Sequence, residues 1–168
     1  AVKEAARKDA VITHNNAEAV AGSRAVCFFV ARGVCQADFA EAGPDLIDEC
    51  IEFVGGGEVA RRLARAKELL LEKLPAGTAI QTLGSGGYVV ETVASAVYCF
   101  LKTPADFEAT VVSAVMGGGD TDTTAAVAGA ISGAWNGTWK IPRRWVDRVE
   151  ASAEIRSVAG RLYKFCEG

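Results

Sequence analysis

The chain has 168 residues, 50% of them hydrophobic and 23% charged, with a formal net charge of −3. That length suits one domain with a core of its own, and the scattered basic residues argue against a nucleic-acid backbone as the main partner. No uninterrupted apolar run reaches the roughly 18 to 20 residues of a membrane span, so a soluble chain without a membrane partner is expected. Cys27, Cys35, Cys50, Cys99 and Cys166 are odd in number and form no CxxC pair. Most lie among apolar helical residues, which predicts reduced thiols in an intracellular, cytoplasmic protein rather than a disulfide frame or zinc knuckle.

Ala1-Val2-Lys3-Glu4-Ala5-Ala6-Arg7-Lys8 has the character of a charged helix and not of a signal peptide. Without an initiator Met, the chain is expected to start inside a longer protein or after processing. A loop over 11–16 leads into a helix from about Ala17 to Arg32, capped by Thr13 or Asn16, with Glu18 in its first turn. His14, the sole histidine, stands at that helix start, where a structural hydrogen bond and a substrate-facing role both fit. From Ala37 to Phe53 two short helices are split by Gly43-Pro44, with Pro44 suited to a first turn. Gly55-Gly56-Gly57 stops the second. A glycine triplet can cradle phosphate, but this one lacks the downstream Lys-Ser/Thr of a nucleotide P-loop and is taken as an inter-helix turn with no chemistry.

Val59, Leu63, Ala66, Leu70 and Leu74 repeat at helical spacing, while Arg61, Arg62, Arg65, Glu68 and Glu72 occupy other faces. They predict an amphipathic core helix with a solvated arginine face, ended by Pro75-Ala76-Gly77. Gln81 to Tyr88 follows as a loop into a nearly all-apolar helix, Val89 to Leu101, which has no polar side and therefore belongs in the middle of a bundle. Gly84, Ser85, Gly86 and Gly87 present backbone N–H groups at its N-terminus, either as an anion site or as a simple tight turn. Thr103 caps and Pro104 opens a further helix to about Val115. After a glycine-rich loop comes a small-residue helix, Thr121 to about Trp135, whose Gly129 and Gly133 predict close packing. Ile141-Pro142 starts a short helix through Trp145, and Val146 to Phe165 forms a terminal one. Trp135, Trp139 and Trp145 suit core anchors or lids. With no repeat and few period-two runs, the class is all-α, a compact multi-helix bundle.

The loop between the last two long predicted helices, Met116-Gly117-Gly118-Gly119-Asp120-Thr121-Asp122-Thr123-Thr124, carries the densest chemistry. Glycines let a backbone approach a ligand closely, and two aspartates one residue apart follow where a helix begins. One acid at a helix start is an ordinary N-cap or dipole partner. Two, with the hydroxyls of Thr123 and Thr124, make a set of hard oxygens that suits Mg²⁺, Mn²⁺ or Ca²⁺ better than Zn²⁺. The Asp-x-Asp-x-Thr spacing also resembles the nucleophile loop of haloacid-dehalogenase-type phosphatases. That loop, however, ends a strand and precedes most of a Rossmann-like domain, whereas the residues after Thr124 have helical character.

Gly118-Gly119-Asp120-Thr121-Asp122-Thr123, continuing through the small-residue helix to Gly133-Ala134-Trp135-Asn136-Gly137, resembles the C-terminal signature of the ADP-ribosylglycohydrolase family, which includes the dinitrogenase reductase-activating glycohydrolases. Thr13-His14 and the Leu83-Gly84-Ser85-Gly86 stretch, with Glu91-Thr92-Val93 beyond it, extend the likeness. The resemblance implies an all-helical domain with two divalent cations, Mg²⁺ or Mn²⁺, at its centre, held here by Asp120, Asp122 and Thr123. It implies that His14, Gly84, Ser85, Gly86 and Gly87 line an ADP-ribose site, where Tyr88 could stack on adenine or serve as a half-buried core residue. The implied reaction is hydrolysis of the glycosidic bond between ADP-ribose and a protein side chain or small adduct; the alternative is a catalytically incomplete ADP-ribose or nucleotide binder. Where relatives place a proline soon after the histidine, this chain has Asn15-Asn16-Ala17. Nothing in residues 1 to 115 resembles the family's second, Thr-Asp-Asp ligand cluster or its proton-handling acid. Residues 1–168 are therefore expected to be the C-terminal portion of a single domain, acting with an N-terminal segment or a companion chain.

Overall fold

The computed structural model describes residues 1–35 and 42–167. Among them are ten α-helices and no strand: α1 (Val2–Ala10), α2 (Ala17–Cys35), α3 (Asp45–Val54), α4 (Gly57–Leu71), α5 (Ala76–Leu83), α6 (Val89–Lys102), α7 (Phe107–Met116), α8 (Thr121–Asn136), α9 (Arg143–Val146) and α10 (Ser152–Glu167). The first of the two short helices expected between Ala37 and Phe53 falls largely on 36–41, outside the described residues.

α6 is the axis, as its lack of a polar face requires: Val90 and every residue from Thr92 to Leu101 are buried. It packs against α2, α4, α5, α7 and α8. An aromatic chain joins four helices, from Phe53 of α3 through Phe28 and Phe29 of α2 to Phe100 of α6 and Trp135 of α8, with successive ring centroids 5.5 to 6.4 Å apart. Trp135 closes it by donating its indole N–H to the Phe29 carbonyl at 2.9 Å. The close helix approaches lie where α2 has glycine. A Cβ at Gly22 would collide with Val89, and one at Gly33 would fall 2.8 Å from Trp135 Cγ. α8 packs closely on α7, but a Cβ at Gly129 or Gly133 would meet Val111 or Phe107 only at ordinary van der Waals distance, so that packing does not require glycine there.

Other elements depart from their sequence reading for local reasons. Residues 76–83 form a helix of their own, α5, which Pro75 precedes and Gly84 ends. α7 begins at Phe107, because the Asp106 carboxylate accepts from the Ala109 amide at 2.9 Å; Thr103 turns back to the Cys99 carbonyl. The expected terminal helix is interrupted between Val146 and Ser152, where Ala151 has φ +57°. Trp139 is 82% exposed and covers Gly137 rather than the core. Arg62 leaves the solvated face of α4 to donate to the Leu83 carbonyl. Among the described residues no helix is long and apolar enough to cross a membrane.

Candidate functional site

The loop joining α5 to α6 is shaped by side chains of α6 itself. Gly84 ends α5 with its amide on the Ile80 carbonyl at 2.7 Å, and its own carbonyl accepts from the buried Ser95 hydroxyl at 2.8 Å. The Gly86 amide donates to Glu91 Oε2 at 2.8 Å, while its carbonyl accepts from Thr92 Oγ1 at 3.2 Å. The carboxylate of Glu91 thus stands where an anion on Gly86 would have to sit. Two amides later, Tyr88 donates its phenol to Glu58 of α4 at 3.0 Å; that bond, and then burial, push its ionisation upward. α4 is in turn anchored by Glu18 of α2, whose two oxygens accept from the amides of Glu58 and Val59 at 3.0 and 2.9 Å. Glu18 therefore caps another helix as well as standing in the first turn of its own, whose cap is Asn16, accepting from Ala19 at 2.8 Å.

The acidic loop docks directly on the glycine loop. The Asp120 amide donates to the Ser85 carbonyl at 2.6 Å. Gly119 lies so close that a methyl group there would collide with that same oxygen, and a Cβ at Gly87 would fall 2.9 Å from Asp120 Oδ2. Two segments 35 positions apart in sequence are in this way one structural unit. Asp120 starts α8, yet its side chain caps nothing. Asp122, exposed at the rim, is held below the usual carboxylate range, first by hydrogen bonding with the Asp120 carboxyl and then by the amides of Asp122 and Thr123.

A cavity of about 470 Å³ opens beside this junction, between the α1–α2 pair and the N-terminal turns of α6 and α8. His14, Gly87, Tyr88 and Thr123 all contribute to its wall, over an apolar floor that includes Val26, Val93 and Val127. Its volume lies within the range of small-molecule sites. The His14 ring is exposed, with Nδ1 2.9 Å from Thr13 Oγ1. Of the residues predicted to act together, the fold thus brings His14, Gly87, Tyr88 and Thr123 to one cavity and sets Asp120 against its Gly87 edge. Gly84, Ser85 and Gly86 stand behind that edge as the turn that supports it. Glu18, Glu58 and Glu91 went unassigned in the sequence because each acts on a distant or backbone partner that no local spacing announces.

Neighbouring carboxylates repel each other, and a hard cation placed between them would offset that repulsion. The hydroxyl of Thr124, one turn into α8, is buried without any partner. Asp120, Asp122 and Thr123 at the same helix start carry oxygen donors only, of the type that suits Mg²⁺ or Mn²⁺. As a shell the set is partial: among the described residues no group of three His, Cys, Asp or Glu side chains could hold an ion. The carboxylates lie at the rim of this chain rather than at its centre.

The chain is 33% identical over 120 residues to the ADP-ribosylhydrolase ARH3 of Gallus gallus, covering 64% of this chain and 33% of that protein. It is 30% identical over 172 aligned positions to an uncharacterized protein of Archaeoglobus fulgidus, covering 97% of this chain and 51% of the relative. A shorter match, 33% over 79 residues, is to the ADP-ribosylarginine hydrolase Tri1 of Serratia proteamaculans, covering 47% of this chain and 21% of that one. The chain thus spans between about a fifth and about half of the length of these relatives. The profile of the ADP-ribosylglycohydrolase family matches residues 1–168, from first to last, and the chain belongs to that family.

Proposed function

We propose that this chain takes part in metal-dependent hydrolysis of the glycosidic bond that links ADP-ribose to a protein side chain or a small adduct. The observation that carries this reading is the convergence of His14, Gly87, Tyr88 and Thr123 on one cavity whose edge is pinned to the Asp120 loop. Relatives named as ADP-ribosylhydrolases support it.

Asp120, Asp122 and Thr123 would hold the cations, two of Mg²⁺ or Mn²⁺. Such ions would orient and polarise the ribose hydroxyls and activate a water for attack at the anomeric carbon. The protein's own contribution is positional. Tyr88, tied to Glu58, offers a fixed ring face for a base, and Val26, Val93 and Val127 keep water from the apolar floor. His14 offers a ring nitrogen to a substrate oxygen while its other nitrogen is occupied by Thr13. The remaining ligands and the proton-handling acid are assigned outside residues 1–168, to another segment of the protein or to a companion chain.

The alternative, an ADP-ribose or nucleotide binder without turnover, is favoured by the partial ligand set alone. Release of free ADP-ribose separates the two. The complete protein, supplied with Mg²⁺ or Mn²⁺, is expected to release it from an arginine-, serine- or small-molecule-linked substrate, and Asp120→Asn or Asp122→Asn to abolish release with helix content unchanged. Tight ADP-ribose binding with no release from any of these would leave only the binder.

A further inference from the structure

The glycine loop and the acidic loop meet through one peptide group. The Ser85 carbonyl that accepts the Asp120 amide at 2.6 Å belongs to the same peptide as the Gly86 N–H, which donates to Glu91 Oε2 at 2.8 Å. A trans peptide is planar, with its N–H and C=O pointing in opposite directions, so a group that holds one end aims the other. We propose that Glu91 is a positioning residue for Asp120, acting through the Ser85–Gly86 peptide. Its functional meaning rests on the reading of Asp120 as a cation ligand.

The surroundings of that peptide support the role in three ways. First, the loop is cut to fit Glu91: a Cβ at Gly84 would collide with its carboxyl group, and one at Gly86 would fall 3.0 Å from Oε2. The two glycines make room for this carboxylate. Second, α6 anchors the neighbouring groups as well. Buried Ser95 donates to the Gly84 carbonyl at 2.8 Å, and Thr92 Oγ1 donates to the Gly86 carbonyl at 3.2 Å. The oxygen that Ser85 turns toward Asp120 is thereby held from both sides. Third, the alignment reaches the Asp120 side chain, because a Cβ at Gly87, the next residue, would fall 2.9 Å from Asp120 Oδ2. Glu91 does not join Asp120 and Asp122 in a cluster of three acids able to hold an ion, so its influence passes through the backbone. A charged acceptor on the Gly86 N–H also polarises the carbonyl across the peptide and strengthens its bond to the Asp120 amide.

The test reads the Asp120 amide, and Mn²⁺ binding, in the complete protein. In Glu91→Ala the Asp120 amide is expected to exchange its hydrogen about 10-fold faster, the scale of a bond to a charged acceptor, and Mn²⁺ affinity to fall about 5-fold. Glu91→Gln keeps an acceptor for Gly86 and should recover most of both. Ser95→Ala, which releases the preceding peptide, should shift both in the same direction by a smaller factor. Trp135→Phe lowers stability from the other end of α8 and should change Mn²⁺ affinity less than about 2-fold. Unchanged Asp120 exchange and Mn²⁺ affinity in Glu91→Ala would overturn the role. So would equal losses of Mn²⁺ affinity in Glu91→Ala and Trp135→Phe, since general destabilisation would then suffice. An unsubstituted protein that takes up no Mn²⁺ would refute the cation reading of Asp120, and Asp120 exchange in Glu91→Ala would still decide whether Glu91 positions it.

Discussion

Replacing Gly119 with alanine tests whether the glycine and acidic loops act as one unit, and Gly118 provides its internal control. The two residues have nearly the same backbone conformation, φ +71° and +78°. They differ in surroundings: a Cβ on Gly118 meets nothing within 4 Å, whereas one on Gly119 meets the Ser85 carbonyl. Gly118→Ala therefore carries only left-handed backbone strain, about 1–2 kcal/mol, less the roughly 0.4–1 kcal/mol gained by stiffening the unfolded chain. A net loss of about 1 kcal/mol follows. Gly119→Ala adds a collision with a backbone oxygen that no rotamer relieves, about 1–3 kcal/mol, and loss of the Asp120 amide bond to Ser85, about 1 kcal/mol. The sum is about 3–5 kcal/mol, expressed globally if the loops hold and locally if they part. Urea denaturation reads the first, hydrogen exchange at the Asp120 amide the second, and Mn²⁺ affinity the consequence for the candidate site. Equal stability and equal Asp120 exchange in the two variants would refute the idea that close approach, rather than conformation, is what position 119 requires.

Trp135→Phe keeps most of the packing but leaves the Phe29 carbonyl without the indole donor, so a loss of about 1–2 kcal/mol in chemical denaturation is expected. Glu18→Ala removes the acceptor from the first turn of α4 and should cost about 1 kcal/mol, read as a lower thermal midpoint and faster exchange at the Glu58 and Val59 amides. Burial pushes the Cys50 and Cys99 thiols up to about 12. A thiol reagent at pH 8 should accordingly label exposed Cys35 in the folded protein and reach Cys50 and Cys99 only on unfolding. Because their folded values are raised, the unfolded chain loses these protons first. Their contribution to stability is complete below the ordinary thiol value of 9.0 and declines as pH rises toward about 12, which denaturation across that interval measures.

The elements with a strong one-dimensional signature were legible before any coordinates. α6 declared itself by having no polar face, α4 by its helical repeat, and the acidic loop by glycines followed by paired aspartates. Such signals survive because burial on one face and the conformational needs of a turn act within a few residues. Boundaries set by competing caps were less legible: Thr103 and Asp106 both precede α7, and only the bond actually made to Ala109 decides between them. Arg62 looked solvated because its partner, the Leu83 carbonyl, belongs to a neighbouring element.

What composition and periodicity determined by themselves is an all-helical chain with hard-oxygen donors at one helix start, since carboxylate chemistry and helical spacing are local properties. Which of those donors share a cavity was decided by tertiary structure alone. His14, Gly87 and Thr123 meet because α1–α2 folds against the ends of α6 and α8, and the Asp120 amide finds Ser85 across 35 positions. Contacts of that separation depend on how the apolar faces of whole helices pack, and a linear pattern specifies those faces without specifying their partners.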